Sequence, residues 1–486
     1  MKTLTKSKYL LGVQCLRQVW VHFHEPEKVP EVDAAAQKRF DEGNEVGELA
    51  KKLFPSGIDL PTDDFLDNIQ LTKGVLNEDK VLFEPGFLTS DGLYSRGDIL
   101  VPNEDGSWDI IEVKSGCSVK DINVEDLAFQ KHVYISCGLK INKCYLMHLN
   151  NEYFLSGDLD VDKLFVKEDI TSRVDLILDE VPSKVSMIKE TIDDPIIPSN
   201  RIGPHCSNPY NCPFQEECWS FLPENHVAQL YYGKSKAFEL IEGGIYALKD
   251  IPSEFKLNDK QGIQRDCDIQ EKVYVDKERL KHFLNSLKYP LYYLDFETFQ
   301  TAVPKFSGLK PYSQVPFQYS LHVVRSPGSK PEHYSFLYKG SGDPRSEFIS
   351  SLRSVLGDSG SIVVYNQSFE INRLRETANF LPAYSDWVES VVGRVVDLIV
   401  PFRNFSYYNP KQKGSCSLKY VLPALVGKDY SSLGIQNGSD ASLEFYRVAY
   451  LNGSGREKVF KDLEEYCCLD TLGMVWIVDG LGGLIG

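Results

Sequence analysis

Apolar positions at helical spacing mark residues 33–53 (DAAAQKRFDEGNEVGELAKKL), and the turn FPSG closes that helix. Three short apolar runs follow, VLFEPGF, LYSRGDILV and WDIIEVKSG, separated by Gly, Asp and Asn, and they predict strands. VEDLAFQKHVYISCGL predicts an amphipathic helix closed by Gly138. INKCYLMHL and EYFL read as further strands, and residues 157–200 as helix followed by extended chain. A stretch rich in Cys and Pro occupies 201–223. Residues 224–285 show helix–turn–helix spacing around Gly243-Gly244, then a polar, linker-like portion. Beyond them LYYLDFETF, YSLHVVRS and SIVVYN predict strands. SEFISSLRSVL, SFEINRLRETANFL and KVFKDLEEYCCLDTLGMVWIVDGL predict helices, the last one long. This alternation predicts a mixed α/β protein in three parts, 1–223, 224–285 and 286–486.

Composition narrows the class. Over 486 residues, 42% are hydrophobic and 25% charged, ordinary globular values that exclude disorder, collagen and coiled coil for the whole chain. The formal net charge of −16 argues against a histone-like protein coated in positive charge, though not against a focused basic groove. No unbroken apolar run of the length a membrane span needs is present, so no transmembrane helix is expected. The start, MKTLTKSKYLLGVQCLRQVWVHF, lacks a small-residue cleavage site and reads as mature cytoplasmic protein. Of eleven cysteines, seven sit among apolar neighbours and read as small buried hydrophobes in a reducing compartment.

Three constellations carry candidate chemistry. In the first, GDIL holds Asp98 and IIEVK holds Glu112 and Lys114, which as i and i+2 of a strand share one face. A strand pair would set Asp98 beside them. Two carboxylates suit a hard cation such as Mg²⁺ or Mn²⁺, and a neighbouring Lys suits activation of water and stabilisation of phosphate charge. Gln130 and Tyr134, i and i+4, share a face of the following helix. An ordinary salt-bridged surface hairpin is the bland alternative. GDIL…EVK…QKHVY resembles the PD-(D/E)xK nucleases of the RecB type, including those of CRISPR adaptation. The resemblance implies a restriction-endonuclease-like core, with Asp98 and Glu112 on metal, Lys114 on the water, and Gln130 and Tyr134 supporting DNA binding and the site. The family's upstream helix His has no counterpart: GNEVGEL offers Glu45 and Glu48, with Gly47 at the His position, and Glu48 is the expected ligand. A solvated helix face is the alternative there.

The second constellation is HCSNPYNCPFQEEC, a C-x5-C-x5-C array of Cys206, Cys212 and Cys218 in an irregular segment. Thiolates so placed suit zinc or an iron–sulfur cluster, with His205 or Cys15 as the fourth ligand. Iron–sulfur members of the same nuclease branch use one cysteine before the core and three after it. The resemblance thus implies Cys15 and a 4Fe-4S cluster, zinc being the alternative, although the spacing departs from the family's C-x-x-C-x5-C.

The third lies in the last part. LDFET puts Asp295 and Glu297 on one strand face; SIVVYNQSFE puts Asn366 at a strand–helix junction and Glu370 in the first helical turn; EEYCCLD puts Tyr466 and Asp470 on one helix face. Four carboxylates from separate elements can hold two divalent ions roughly 3.5–4 Å apart for phosphodiester hydrolysis, with a tyrosine positioning water. D-x-E, N-x-x-x-acid and Y-x-x-x-D in this order resemble the DEDDy 3′–5′ exonucleases, a ribonuclease H-like family. Glu370 departs from the family's Asp. Asp397, between the motifs, reads as structural. The middle segment has only a faint likeness to a helix–hairpin–helix unit, and a packing linker is the stronger reading.

The resemblances imply a metal-dependent deoxyribonuclease with two modules, acting on DNA that is single-stranded or has free ends, in end processing, repair or defence against foreign DNA. An RNA 3′–5′ exonuclease, a nucleic-acid-binding scaffold with inactive sites, and a redox sensor built on the cluster are the alternatives.

Overall fold

The alternation of buried and exposed positions resolves, in a computed structural model, into a mixed α/β architecture described for residues 2–61, 64–199 and 201–486. The chain forms two compact units: one of Met1–Ser220 with Thr301–Ser313, the other of Phe221–Gln300 with Gln314–Gly486. The segment 224–285 therefore belongs to the second unit.

In the first unit helix α1 (Lys6–Gln14) and helix α2 (Ala34–Lys51) precede a six-stranded sheet. Its strands lie in chain order: β1 (Ile58–Asp59), β2 (Leu82–Phe83), β3 (Ile99–Pro102), β4 (Trp108–Lys114), β5 (Ile141–Leu149) and β6 (Phe165–Asp169). β3 and β4 form an antiparallel pair. β5 then runs parallel to β4, a crossover made by helix α3 (Asp121–Ser136). Leu100, Ile110 and Leu146 face Leu127 and Ala128 of α3. Ile99, Ile111 and Met147 face Val46 and Leu49 of α2. The sheet is thus covered on both faces, and the side chains two along from Ile110 meet α3. EYFL, expected as a strand, is irregular; Leu155 there exchanges backbone hydrogen bonds with Gly308 and Leu309, at 2.8 and 2.9 Å. β6 was not expected, because after Phe165 every residue of it is exposed and no alternation marks an edge strand.

In the second unit the order is β9-β8-β7-β10-β11: β7 (Leu291–Phe299), β8 (Val315–Val324), β9 (Glu332–Leu337), β10 (Ser361–Val364) and, after helix α4 (Ser368–Phe380), β11 (Val395–Asp397). β7, β8 and β9 are antiparallel, while β10 and β11 are added parallel. One face buries Leu294, Phe296, Leu321 and Ile362 against Leu352 and Leu374 of flanking helices. The opposite face is covered by the last helix, α5 (Arg456–Ile485), which packs on β7 and β8. Gln318 donates to the Leu463 carbonyl at 2.8 Å and ties that face to α5.

Helix α5 is long and apolar enough to cross a membrane by length and composition alone. No such helix was expected, because Asp470 and Asp479 interrupt every unbroken apolar run. Within the unit its inward side is buried and carries Tyr466 and Asp470.

Leu321 is fully buried in the β8 layer, so Leu321→Ala should cost about 2–5 kcal/mol through lost transfer energy and the cavity left behind. Urea unfolding reads this directly. A cost below about 1 kcal/mol would mean that the layer is not a packed core.

Candidate functional site

In the first unit β4 sends Glu112 and Lys114 to the α3 side of the sheet, as the i, i+2 pattern requires. Glu112 is 1% exposed. Its Oε1 accepts from Lys114 Nζ at 2.5 Å and from Lys6 Nζ at 2.8 Å, and its Oε2 accepts from Gln130 Nε2 at 2.6 Å. Asp126 of α3, also buried, accepts from Lys114 at 2.9 Å and from Gln130 at 2.9 Å, and lies 3.3 Å from Lys6. Asp98 stands at the mouth of β3 and accepts the Val113 backbone N–H at 2.6 Å.

Burial, reinforced by Asp126 and Asp98, pushes the Glu112 carboxyl up to about 7. Burial raises Asp98 as well. Burial also acts on Asp126, but Lys114 and Lys6 outweigh it and hold that carboxyl below its usual range. The two ammonium groups are in turn held charged: burial opposes them, and Asp126 and Glu112 prevail. Gln130 and Tyr134 are both fully buried, so they form the floor of this group. Gly97 admits them: a Cβ there would lie 2.5 Å from Tyr134 Oη and 2.7 Å from Gln130 Oε1. The structure does not bring Glu48 into the group. Its side chain is 70% exposed and pairs with Lys51 at 2.8 Å. Glu84 is the further acid within electrostatic range of Glu112 and Lys6.

Cys15, Cys206, Cys212 and Cys218 line one cavity of about 370 Å³, together with Arg17 and His205. Cys15 sits at the joint between α1 and the next helix. Gln14 donates to the carbonyls of His205 and Tyr210, at 2.8 and 2.7 Å, and so holds that joint against the cysteine segment. Burial, then the neighbouring Cys15, Cys206 and Cys218, push the Cys212 thiol up to about 11.

In the second unit Asp295 and Glu297 of β7 and Asp470 of α5 converge from strand and helix, and Glu370 joins them from the first turn of α4. Glu297, Glu370 and Asp470 are each below 10% exposed, at 7%, 2% and 7%. Burial raises Asp295, with Asp470 adding to it. Burial raises Glu297, with Asp295 and Asp470 adding to it. Burial also raises Glu370, again with Asp295. Asp470 is pushed up to about 7 by burial, although Tyr430 donates to its Oδ1 at 2.6 Å. Lys419 opposes the charge of Glu297 and Asp470, and Arg373 that of Glu370; neither overcomes burial. Glu370 Oε2 is buried with no hydrogen-bond partner. Tyr466 is buried beside Asp470, its ring 5.9 Å from that of Tyr430. Cys467 lies against the pair, Sγ to Asp295 Oδ2 at 3.8 Å. An array of like charges held from water, with an orphaned oxygen, fits a divalent cation by its donor chemistry. Asp397 accepts from the backbone N–H groups of Asn366 and Ile399, at 2.9 and 3.1 Å, and so fixes the turn in which Asn366 takes a φ of 79°.

Lys6, Asp126, Glu84, Tyr430 and Cys467 were not singled out from sequence. Asp126 alone carried a local signal, standing i, i−4 to Gln130 on the same helix face.

A family model described as a domain of unknown function (DUF2779) matches residues 292–417. That span includes Asp295, Glu297 and Glu370 and stops short of Tyr466 and Asp470. An uncharacterized protein MG366 homolog of Mycoplasma pneumoniae is 29% identical over 224 residues, 41% of this chain and 33% of the relative. The uncharacterized protein MG366 of Mycoplasma genitalium is 29% identical over 230 residues, 43% of this chain and 34% of the relative. The alignments thus cover about a third of the length of these curated relatives.

An acid whose folded pKa is raised stabilises most below its unfolded pKa and loses that contribution as pH rises through the folded value. For Asp470 the window runs from roughly 4 to about 7. Asp470→Asn keeps an acceptor for Tyr430 and removes the buried charge. Without divalent cations it should raise Tm at pH 8 and flatten the pH dependence between 4 and 7, by up to ~4 kcal/mol. Equal Tm values for the two proteins at pH 8 would show that the carboxylate carries no such penalty.

Proposed function

We propose that the chain is a metal-dependent nuclease that hydrolyses DNA phosphodiester bonds with two modules. The observation that carries this reading is the back array: Asp295, Glu297, Glu370 and Asp470 held together out of water, with Glu370 Oε2 unpartnered. Sheet order supports the ribonuclease H-like reading: the acidic strand β7 is central, between the antiparallel β8–β9 pair and the parallel β10–β11 pair. In the first unit, the antiparallel β3–β4 pair bearing Asp98, Glu112 and Lys114, followed by α3 and parallel β5, supports the restriction-endonuclease-like one.

Asp295, Glu297, Glu370 and Asp470 would hold Mg²⁺ or Mn²⁺ in the back module, and Asp98 and Glu112 in the front one. Bound there, the ion supplies a water of lowered pKa and Lewis acidity toward a phosphoryl oxygen. The protein's own part is positional. Tyr430 fixes the Asp470 carboxylate, while buried Tyr466 presents its hydroxyl beside it. In the front module Lys114 keeps its proton and stands ready to stabilise charge on phosphate. Lys6 and Gln130 hold Glu112 in place. The cavity of four cysteines would hold a 4Fe-4S cluster, which staples the chain start to the segment after the nuclease core.

Labelled single-stranded DNA with Mg²⁺ or Mn²⁺ tests the reading, comparing wild type with Lys114→Ala, Asp295→Ala and the double variant. Each single variant should lose a distinct product pattern, by at least 100-fold in rate, and the double should be inert. Wild type that leaves both DNA and matched RNA intact in either metal would sink the nuclease reading. Anaerobic purification should yield iron and sulfide that Cys206→Ser loses.

A further inference from the structure

The sheet face that carries Asp295 and Glu297 bears a second donor set that the nuclease reading does not use. His322 of β8 and His333 of β9 oppose one another directly in the antiparallel register, their rings 4.5 Å apart. Cross-strand partners project to the same face. Asp295 pairs in the same way with Ser320, two residues before His322, so the acids and the histidines share the side covered by α5. Helix α5 adds Cys468 over the histidine pair. One ligand atom from each of His322, His333 and Cys468 lies within 4.8 Å of the other two.

The surroundings orient these rings as the second shell of a metal site does. His322 Nδ1 is hydrogen-bonded to Thr471 Oγ1 at 2.8 Å, and His333 Nε2 to Ser320 Oγ at 2.9 Å. Ser320 and Thr471, both buried, are themselves linked at 2.7 Å. Each imidazole therefore has one nitrogen engaged by a hydroxyl, and in the tautomer that donates to that hydroxyl the other nitrogen keeps its lone pair for an ion. Burial lowers both rings, His322 to about 4 with His333 contributing. His322 is buried, Cys468 half-buried and His333 exposed, which gives an ion a path from solvent.

We propose that His322, His333 and Cys468 form a binding site for a borderline divalent cation, Zn²⁺ foremost, distinct from the carboxylate site. Two imidazoles and a thiolate match that ion and leave a fourth position for water. Binding forms the metal–sulfur bond and releases the Cys468 thiol proton to solvent, so affinity falls with acid. The ion would tie the edge strand β9 and its neighbour β8 to the helix that carries Tyr466 and Asp470. Its role is to fix that helix, and it stands whether or not the carboxylates act on a phosphodiester.

The full-length protein, stripped with chelator, is titrated with Zn²⁺ for stoichiometry and with Co²⁺ for the thiolate-to-metal charge-transfer band. Wild type is compared with His333→Ala, Cys468→Ser and Cys467→Ser, with circular dichroism confirming the fold of each. His333→Ala and Cys468→Ser should each lose one equivalent of Zn²⁺, or bind it at least tenfold more weakly, and lose the same share of the Co²⁺ band. Cys467→Ser should keep both. Retention of the full equivalent by either His333→Ala or Cys468→Ser overturns the site. Loss of that equivalent in Cys467→Ser also overturns it, because the ion would then sit with Asp295 and Glu297.

Discussion

Carboxylates of like charge withheld from water are what both units are built around. Removing a charge from water costs several kcal/mol unless an opposite charge is brought with it. The first unit brings its own: Lys6 and Lys114 bridge Glu112 and Asp126, and all four groups are held by mutual contact. The second does not. Lys419 and Arg373 oppose its acids without overcoming burial, and one Glu370 oxygen has no partner. The two arrays are therefore different objects, one neutralised from within and the other left largely uncompensated.

Helix α5 is the element through which this constraint acts in the second unit. It covers the sheet face that bears Asp295 and Glu297, and it is anchored there by Gln318. Its apolar residues pay no attention to the acids; they pack, and the packing places Tyr466 and Asp470 over β7. The same registry puts Thr471 against His322 and Ser320, so a shift of the helix would disturb the carboxylates and the histidine pair together. This also explains a composition that suits a membrane while every turn contributes to a buried layer.

Where spacing is local, the candidate chemistry was legible. Asp295 and Glu297, Glu112 and Lys114, Gln130 and Tyr134, and Tyr466 and Asp470 are pairs at i+2 or i+4, and regular backbone alone makes each share a face. The strand LYYLDFETF and the helix beginning at Ser368 were readable for the same reason. Edge strand β6 was not, since a strand exposed on both faces shows no alternation; β9 was not singled out either, although its Tyr334 and Phe336 pack on the core. Glu48 lies on the expected helix, with its side chain exposed and paired with Lys51.

Lys6 reaches Glu112 across 106 residues, Tyr430 reaches Asp470 across 40, and His322 meets His333 only through strand register. Nothing in the sequence near these residues predicts such meetings. Local pattern determined the elements, the polar pairs they display and the kinds of ligand those pairs suit. Tertiary structure decided which faces meet, and with that which acids are neutralised by lysines, which remain uncompensated, and where thiols and imidazoles gather. The physical reason is range: backbone geometry orders side chains within a turn or a strand, while charge pairing and desolvation depend on whatever the packed core brings alongside.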